Sequence, residues 1–423
     1  MTIATVIKTI GSTGVFSTPQ LWDDGGPADL VSSERSSAGT FSVAAFIQGE
    51  SLTFVSAGAD PIGKFLDTDS TGPGTGTYIT YGLVSGNVAV GDVCTGDVSG
   101  ATCLIGSSTP LDVGIIWQGH CQNQEFSNAA TVVTIVGSTD SAAAYKDLTT
   151  APGASFRDNV NVQTNALLYN SANGCGFKTV GFLPDRVVVE ASDGLSDLNC
   201  RISKIQLKNI DTSGGPGSGG CLIIGSVGIF ENLIVEGQSV DAGATKGTLV
   251  MLNNAIVRNT LVVQRQAAAD HVIGTGAGTA SPSFYNVTVV APDDLLTAPN
   301  SIFSGAGSGT ITAQNCDLFA GDSTKAIKSG TGTYNFTTCY SDISGTSGVT
   351  QTTYANEFEN VNDATRDFRL KIGAAGIDTG TTDPTNAQFD IAGTARPNGA
   401  AYDVGCWELV QGAAVPMMGQ ECL

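Results

Sequence analysis

The sequence predicts an all-β chain wound as a parallel β-helix, with a small all-β insertion near its N-terminus. Three observations predict it. A strand-like string built around an asparagine recurs at spacings of 27, 27 and 29 residues. Apolar residues beside each copy alternate with the period of two that marks a strand. Clusters of Gly, Ser, Thr and Asp, which are turn chemistry, separate the copies. Length and composition agree with this reading. At 423 residues the chain exceeds the ~250–300 at which single compact cores stop growing. A repeat array escapes that limit because each unit touches only its neighbours. Gly supplies 54 residues and charged residues only 14%, where roughly 25% is usual, so the chain is rich in turns and poor in solvated charge.

Residues 1–33 read as an opening or cap segment. Thr9-Ile10-Gly11 leads through one amphipathic turn to Trp22-Asp23-Asp24-Gly25-Gly26-Pro27. Residues 34–114 break the repeat and carry their own strands, expected at 41–47, 51–56, 78–84 and 87–90. Gly-rich turns join them, Thr71-Gly72-Pro73-Gly74-Thr75-Gly76-Thr77 being the clearest. This stretch reads as the inserted domain, protruding from the N-terminal end. Repeat-like text resumes at Ile115-Ile116-Trp117-Gln118-Gly119. The winding is expected over 115–408, with 409–423 as a tail.

The repeat itself appears as Ile229-Phe230-Glu231-Asn232-Leu233-Ile234-Val235, then as Ile256-Val257-Arg258-Asn259-Thr260-Leu261-Val262. It returns as Phe284-Tyr285-Asn286-Val287-Thr288-Val289 and Ala313-Gln314-Asn315-Cys316-Asp317-Leu318. Lys204 holds the equivalent place 28 residues before Asn232, and Thr338 the place 23 residues after Asn315. The first and third residues after each Asn are mostly small or apolar and share one face; the second is mixed. Stacked at the ~4.8 Å strand spacing, Asn232, Asn259, Asn286 and Asn315 form a candidate structural ladder. Each side-chain amide could donate to the next rung and accept from the previous one. The alternative is four surface-turn asparagines spaced alike by duplication. No L-x-x-L-x-L pattern supports a leucine-rich horseshoe.

The charge balance is acidic, 39 Asp plus Glu against 19 Lys plus Arg, for a net charge of −20. With no basic cluster, this argues against nucleic acid. No apolar run reaches the ~18 residues of a membrane span, so no membrane insertion is expected. The N-terminus shows no basic segment followed by a long apolar one, so no secretory signal is visible. The ten cysteines contain no C-x-x-C pair and are expected as buried free thiols of a chain made in a reducing compartment. Cys94 and Cys103, in one expected hairpin, are the first choice for a disulfide if one forms.

Few residues suggest chemistry. There are two histidines, His120 and His271, and no G-x-S-x-G elbow. Asp270-His271 reads as a solvated turn between rungs, and His120-Cys121 as structural. Asp67-Thr68-Asp69-Ser70-Thr71-Gly72 begins like a calcium loop but has Tyr78 where the bidentate Glu belongs. The runs Gly274-Thr275-Gly276-Ala277-Gly278 and Gly305-Ala306-Gly307-Ser308-Gly309 lack the Lys of a phosphate loop and read as turns. Glycan cleavage would use paired carboxylates. Among Asp197, Glu236, Asp293, Asp294, Asp317 and Asp342, only Asp317 has an arguable position, the outward slot of its rung. It is the candidate glycan contact. No catalytic residue, metal ligand or cofactor is named. Trp22, Trp117 and Trp407 fall near the ends, as caps would.

The segment Asp367-Phe368-Arg369-Leu370-Lys371-Ile372-Gly373 through Ile377-Asp378-Thr379-Gly380 resembles the closing segment of right-handed parallel β-helix proteins of the pectate-lyase-like superfamily. The likeness continues at Asp390-Ile391-Ala392-Gly393-Thr394-Ala395-Arg396-Pro397 and Tyr402-Asp403-Val404-Gly405-Cys406-Trp407. The opening text, Phe16-Ser17-Thr18 to Trp22-Asp23-Asp24 with Trp117-Gln118-Gly119, looks like β-helix proteins of tailed-phage virions. The resemblance implies a right-handed, single-stranded winding. It also implies a non-enzymatic structural virion protein, a capsid decoration (cement or head-spike) protein assembled in the host cytoplasm. Its expected partners are two further copies in a homotrimer and the major capsid protein or other virion proteins. The alternative is a tailspike that binds or depolymerises host surface polysaccharide. The superfamily hosts lyases, hydrolases, adhesins and spikes, so the residues of the site decide between them.

Overall fold

The computed structural model describes residues 2–42, 45–55, 60–69, 76–106, 110–129, 131–135, 139–181, 188–191, 199–211, 221–225, 227–238, 247–264, 271–275, 279–291, 301–305, 307–362 and 365–411. The chain is all-β, and most of it lies in three parallel sheets visited in a fixed cyclic order. One circuit runs Ile229–Glu231 in a first sheet, Ile234–Gln238 in a second and Leu249–Met251 in a third. The next runs Ile256–Arg258, Leu261–Gln264 and His271–Thr275. Each strand pairs in parallel with its equivalents one circuit earlier and later. The register keeps Phe230, Val257 and Phe284 opposite one another in the first sheet, and Val235, Val262 and Val289 in the second. These side chains point into one continuous buried core with Leu233, Val287, Cys316 and Leu318. The first and third positions after each corner residue are therefore interior.

The corner between the first and second sheets explains the repeat. Lys204, Asn232, Asn259, Asn286, Asn315 and Thr338 all have left-handed backbones, with φ between 46° and 63°. One such residue turns the chain sharply, and Asn enters that region at lower cost than most side chains. In-register pairs on both sides, Glu231 with Arg258 and Ile234 with Leu261, stack successive corners. The hydrogen bonds of the ladder differ from expectation. Backbone, not side-chain amides, links the circuits: Asn232 N–H donates to the Arg258 carbonyl (3.2 Å), Asn259 to Tyr285 (3.1 Å), Asn286 to Gln314 (3.0 Å) and Asn315 to Thr337 (3.0 Å). A left-handed corner directs the N–H along the stack and the side chain away from it. Accordingly, the Asn286 and Asn315 amides donate to the Asp403 (3.3 Å) and Thr381 (2.7 Å) carbonyls of the C-terminal segment.

Residues 1–33 do more than cap. Thr2–Ile10 is a strand paired in parallel with Asp112–Cys121, with Val6 opposite Trp117. The short helix Pro19–Gly25, capped by the Thr18 hydroxyl, buries Trp22, whose carbonyl accepts from the Trp117 indole at 3.1 Å. Buried Asp23 and Lys146 pair at 2.6 Å and tie this helix to the first sheet.

The insertion is a closed antiparallel barrel. Its strands are Glu34–Phe41, Ser51–Val55, Ile62–Thr68, Tyr78–Ser85, Val93–Gly96 and Thr102–Ile105, and pairing of the first with the last completes the ring. It has its own core, including Phe54, Phe65, Tyr81, Cys94 and Cys103. Two strand expectations shift: residues 45–47 and 87–89 lie outside strands, and Glu34–Phe41 replaces the first. This polar stretch is a strand because it pairs with several neighbours. The nine described cysteines are buried thiols. Cys94 and Cys103 face each other across one strand pair, while Cys422 lies outside the described residues.

The circuits end near Val349–Gln351. Residues 354–362 and 365–408, read from the sequence as further winding, instead fold back over the outer face of the second sheet. Phe358, Phe368, Ile391, Cys406 and Trp407 pack there against Ile234, Leu261, Val263, Val290 and Phe319. That cover explains why the second position after each corner is often apolar although it faces outward. Of the tail, residues 412–423 lie outside the described residues.

Candidate functional site

A cleft of about 210 Å³ opens where the first sheet, its corner and the C-terminal segment meet. Arg157, Lys204, Arg258 and Glu231 line it, with Phe389 and the amides of residues 386 and 388 on the opposite wall. A 3₁₀ turn, Phe156–Asp158, presents Arg157. The Ser155 hydroxyl caps that turn by accepting from Arg157 N–H at 3.1 Å. Lys204 sits at a left-handed corner. Glu231 and Arg258 are opposite each other on adjacent strands, so their outward side chains meet, Nε to Oε2 at 2.6 Å. Arg258 also donates to the Thr385 carbonyl at 3.3 Å, which holds the far wall in place. Phe389 remains 50% exposed.

The electrostatics here oppose those of the whole chain. Three cations and one carboxylate line the cleft of a protein whose net charge is −20. Burial lowers the basicity of Arg157, while Asp390, Glu231 and Asp158 pull it back up. Beside the cleft, on the same outer face, His120 Nε2 donates to Gln118 Oε1 at 2.8 Å, and the Gln118 amide donates to Asp147 at 2.6 Å. Burial and the Lys204 charge hold the His120 imidazole below its usual pKa. Such a surface can hold an oxyanion through charge-assisted hydrogen bonds.

The candidate glycan contact is corrected. Asp317 does point outward from its strand, but it is fully buried, because Gly405 of the C-terminal cover lies directly on its carboxylate and leaves no room for a Cβ. Thr288 donates to it at 3.4 Å. Burial, then the Glu357 carboxylate and the Cys339 thiol, raise its pKa well above the usual carboxylate range, against Thr288 and Arg396. The other acids are also engaged. Glu236 is buried beside Lys208 at 2.5 Å, and Asp342 accepts from Ala320 N–H at 3.0 Å. Asp67 pairs with Lys8 at 2.9 Å, and Asp69 accepts from Thr77 N–H at 2.7 Å. His271, expected in a solvated turn, is buried within a strand with its ring over Gly274. Asp197, Asp270, Asp293 and Asp294 lie outside the described residues, as do parts of the 71–77 and 274–278 turns.

The cleft residues escape sequence reading for separate reasons. Lys204 and Arg258 belong to the repeat, where they look like ordinary surface positions. Arg157 stands in an irregular excursion between two strands, and nothing local couples it to Phe389. Among the described residues, no group of three His, Cys, Asp or Glu is placed to hold a metal, and no helix is long and apolar enough to cross a membrane. Comparison with family models, with curated proteins and with solved structures returns no match.

Proposed function

We propose that the chain is a right-handed, single-stranded parallel β-helix serving as a non-enzymatic structural protein of a tailed-phage virion, a capsid decoration or head-spike protein. The observation that carries this reading is the insertion of a closed barrel with its own core into the first circuit of a long stack of parallel strands. A stack in which each circuit satisfies the backbone of the next makes a stiff support. A barrel has no free edges, so it can be displayed without edge-to-edge aggregation. On this reading the barrel contacts the major capsid protein or a neighbouring subunit, three copies share an axis, and many weak contacts add through multivalency.

Light scattering on the purified chain, together with its copy number in purified particles, tests the proposal. The mass of three chains and tens to hundreds of copies per particle, on the order expected for multivalent decoration, support it. A few copies per particle, or release of reducing ends from host capsular polysaccharide, would instead establish the tailspike reading.

A further inference from the structure

We propose that the cleft between Arg157, Lys204 and Phe389 binds an oxyanion, a carboxylate or phosphate carried on a ligand no larger than one sugar ring. This inference stands whether or not the chain belongs to a virion. Its volume of about 210 Å³ is below the ~300–1,000 Å³ of pockets for drug-sized ligands, which sets the size limit. The chemistry comes from uncommitted charge. Among the described residues the Arg157 and Lys204 side chains make no hydrogen bond and no ion pair, although both are half-buried. The acids near Arg157 are committed elsewhere. Asp158 accepts from the N–H groups of Gly153 (3.0 Å) and Ser155 (3.3 Å), and Asp390 from those of Thr394 (2.6 Å) and Glu408 (3.0 Å). Glu231 is taken by Arg258.

Keeping a guanidinium and an ammonium without a direct partner in a partly dehydrated cleft costs free energy, and a bound oxyanion would offset part of that cost. A guanidinium offers a planar fork to a carboxylate or phosphate, and the ammonium adds a point charge. Phe389, exposed on the facing wall, offers an apolar ring against which the carbon face of a sugar acid can lie. With the rest of the molecule acidic, binding should weaken as salt rises, because the attraction is local and screened.

Calorimetric titration of the full chain with glucuronate, inorganic phosphate and neutral glucose tests this. Saturable binding of glucuronate or phosphate, weakened about tenfold or more by Arg157→Gln and by Lys204→Asn, is the expected result. Lys204→Asn places at that corner the residue found at four equivalent corners, so it keeps the fold and decides the matter if Arg157→Gln does not fold. Phe389→Ala separates the sources. It should weaken glucuronate and leave phosphate unchanged if the ligand is a sugar acid, and change neither if the site takes phosphate alone. The proposal is overturned by glucose binding as well as glucuronate, by no saturable binding of either anion, or by binding that survives both Arg157→Gln and Lys204→Asn.

Discussion

Asn259 shows how one residue carries the architecture. Its left-handed backbone (φ 46°) makes the corner, and its buried side-chain oxygen has no hydrogen-bond partner among the described residues. The position therefore needs a conformation more than it needs an amide. Asn259→Gly retains that conformation and should cost only a few tenths of a kcal/mol, offset against the greater freedom of glycine in the unfolded chain. Asn259→Val forces a β-branched residue to positive φ and should cost about 2 kcal/mol. Urea melts of the two variants check this, and equal destabilisation would show that the amide itself is what matters. The recurrence of Asn was visible in the sequence. Its reason was not, because the spacing fits a side-chain ladder and a left-handed corner equally well.

At the scale of elements, the C-terminal cover decides what the outer face of the second sheet becomes. Ile234 and Leu261 are outward yet buried, because the C-terminal cover, Phe358, Phe368 and Trp407 among it, folds over them. The same cover traps Asp317 beside Glu357 and close to Arg396. The raised pKa of Asp317 has a definite sign in stability. Between the ordinary carboxylate value of about 4 and its raised value, the folded chain keeps a proton the unfolded chain has lost. Stability from this group is therefore greatest at the acid end and falls as pH rises through that window. Asp317→Asn removes the titration while keeping shape. Its melting temperature should exceed that of the parent at pH 8, and the difference should shrink towards zero near pH 4. A difference independent of pH would mean that Asp317 is charged and satisfied in the fold.

For the whole molecule, the barrel behaves as a guest in the first circuit. Ser33 and Gly114 are already joined by a 2.8 Å hydrogen bond across its base. Replacing the residues between them with a short glycine linker should leave the stacked sheets folded. Some stability is lost, because Leu66 packs into the main core and Asp67 neutralises the nearly buried Lys8. The three tryptophans all lie outside the barrel, and Trp22 and Trp117 are fully buried. Their emission should therefore stay that of buried indole in the excised variant. A shift to solvent-exposed emission would show that the barrel is integral to the stack.

Period, corner positions and interior face were set by the sequence alone, since each follows from local chemistry repeated at a fixed interval: alternation along a strand and a residue that accepts a left-handed turn. Closure of the barrel, burial of Asp317 and assembly of the cleft were decided only by tertiary structure. Closure depends on the pairing of the barrel's first and last strands, and the other two on which distant segment comes to lie on an outer face. Arg157, Arg258 and Phe389 meet because the C-terminal cover returns over the stack, and neither repeat spacing nor composition encodes where a returning segment will settle.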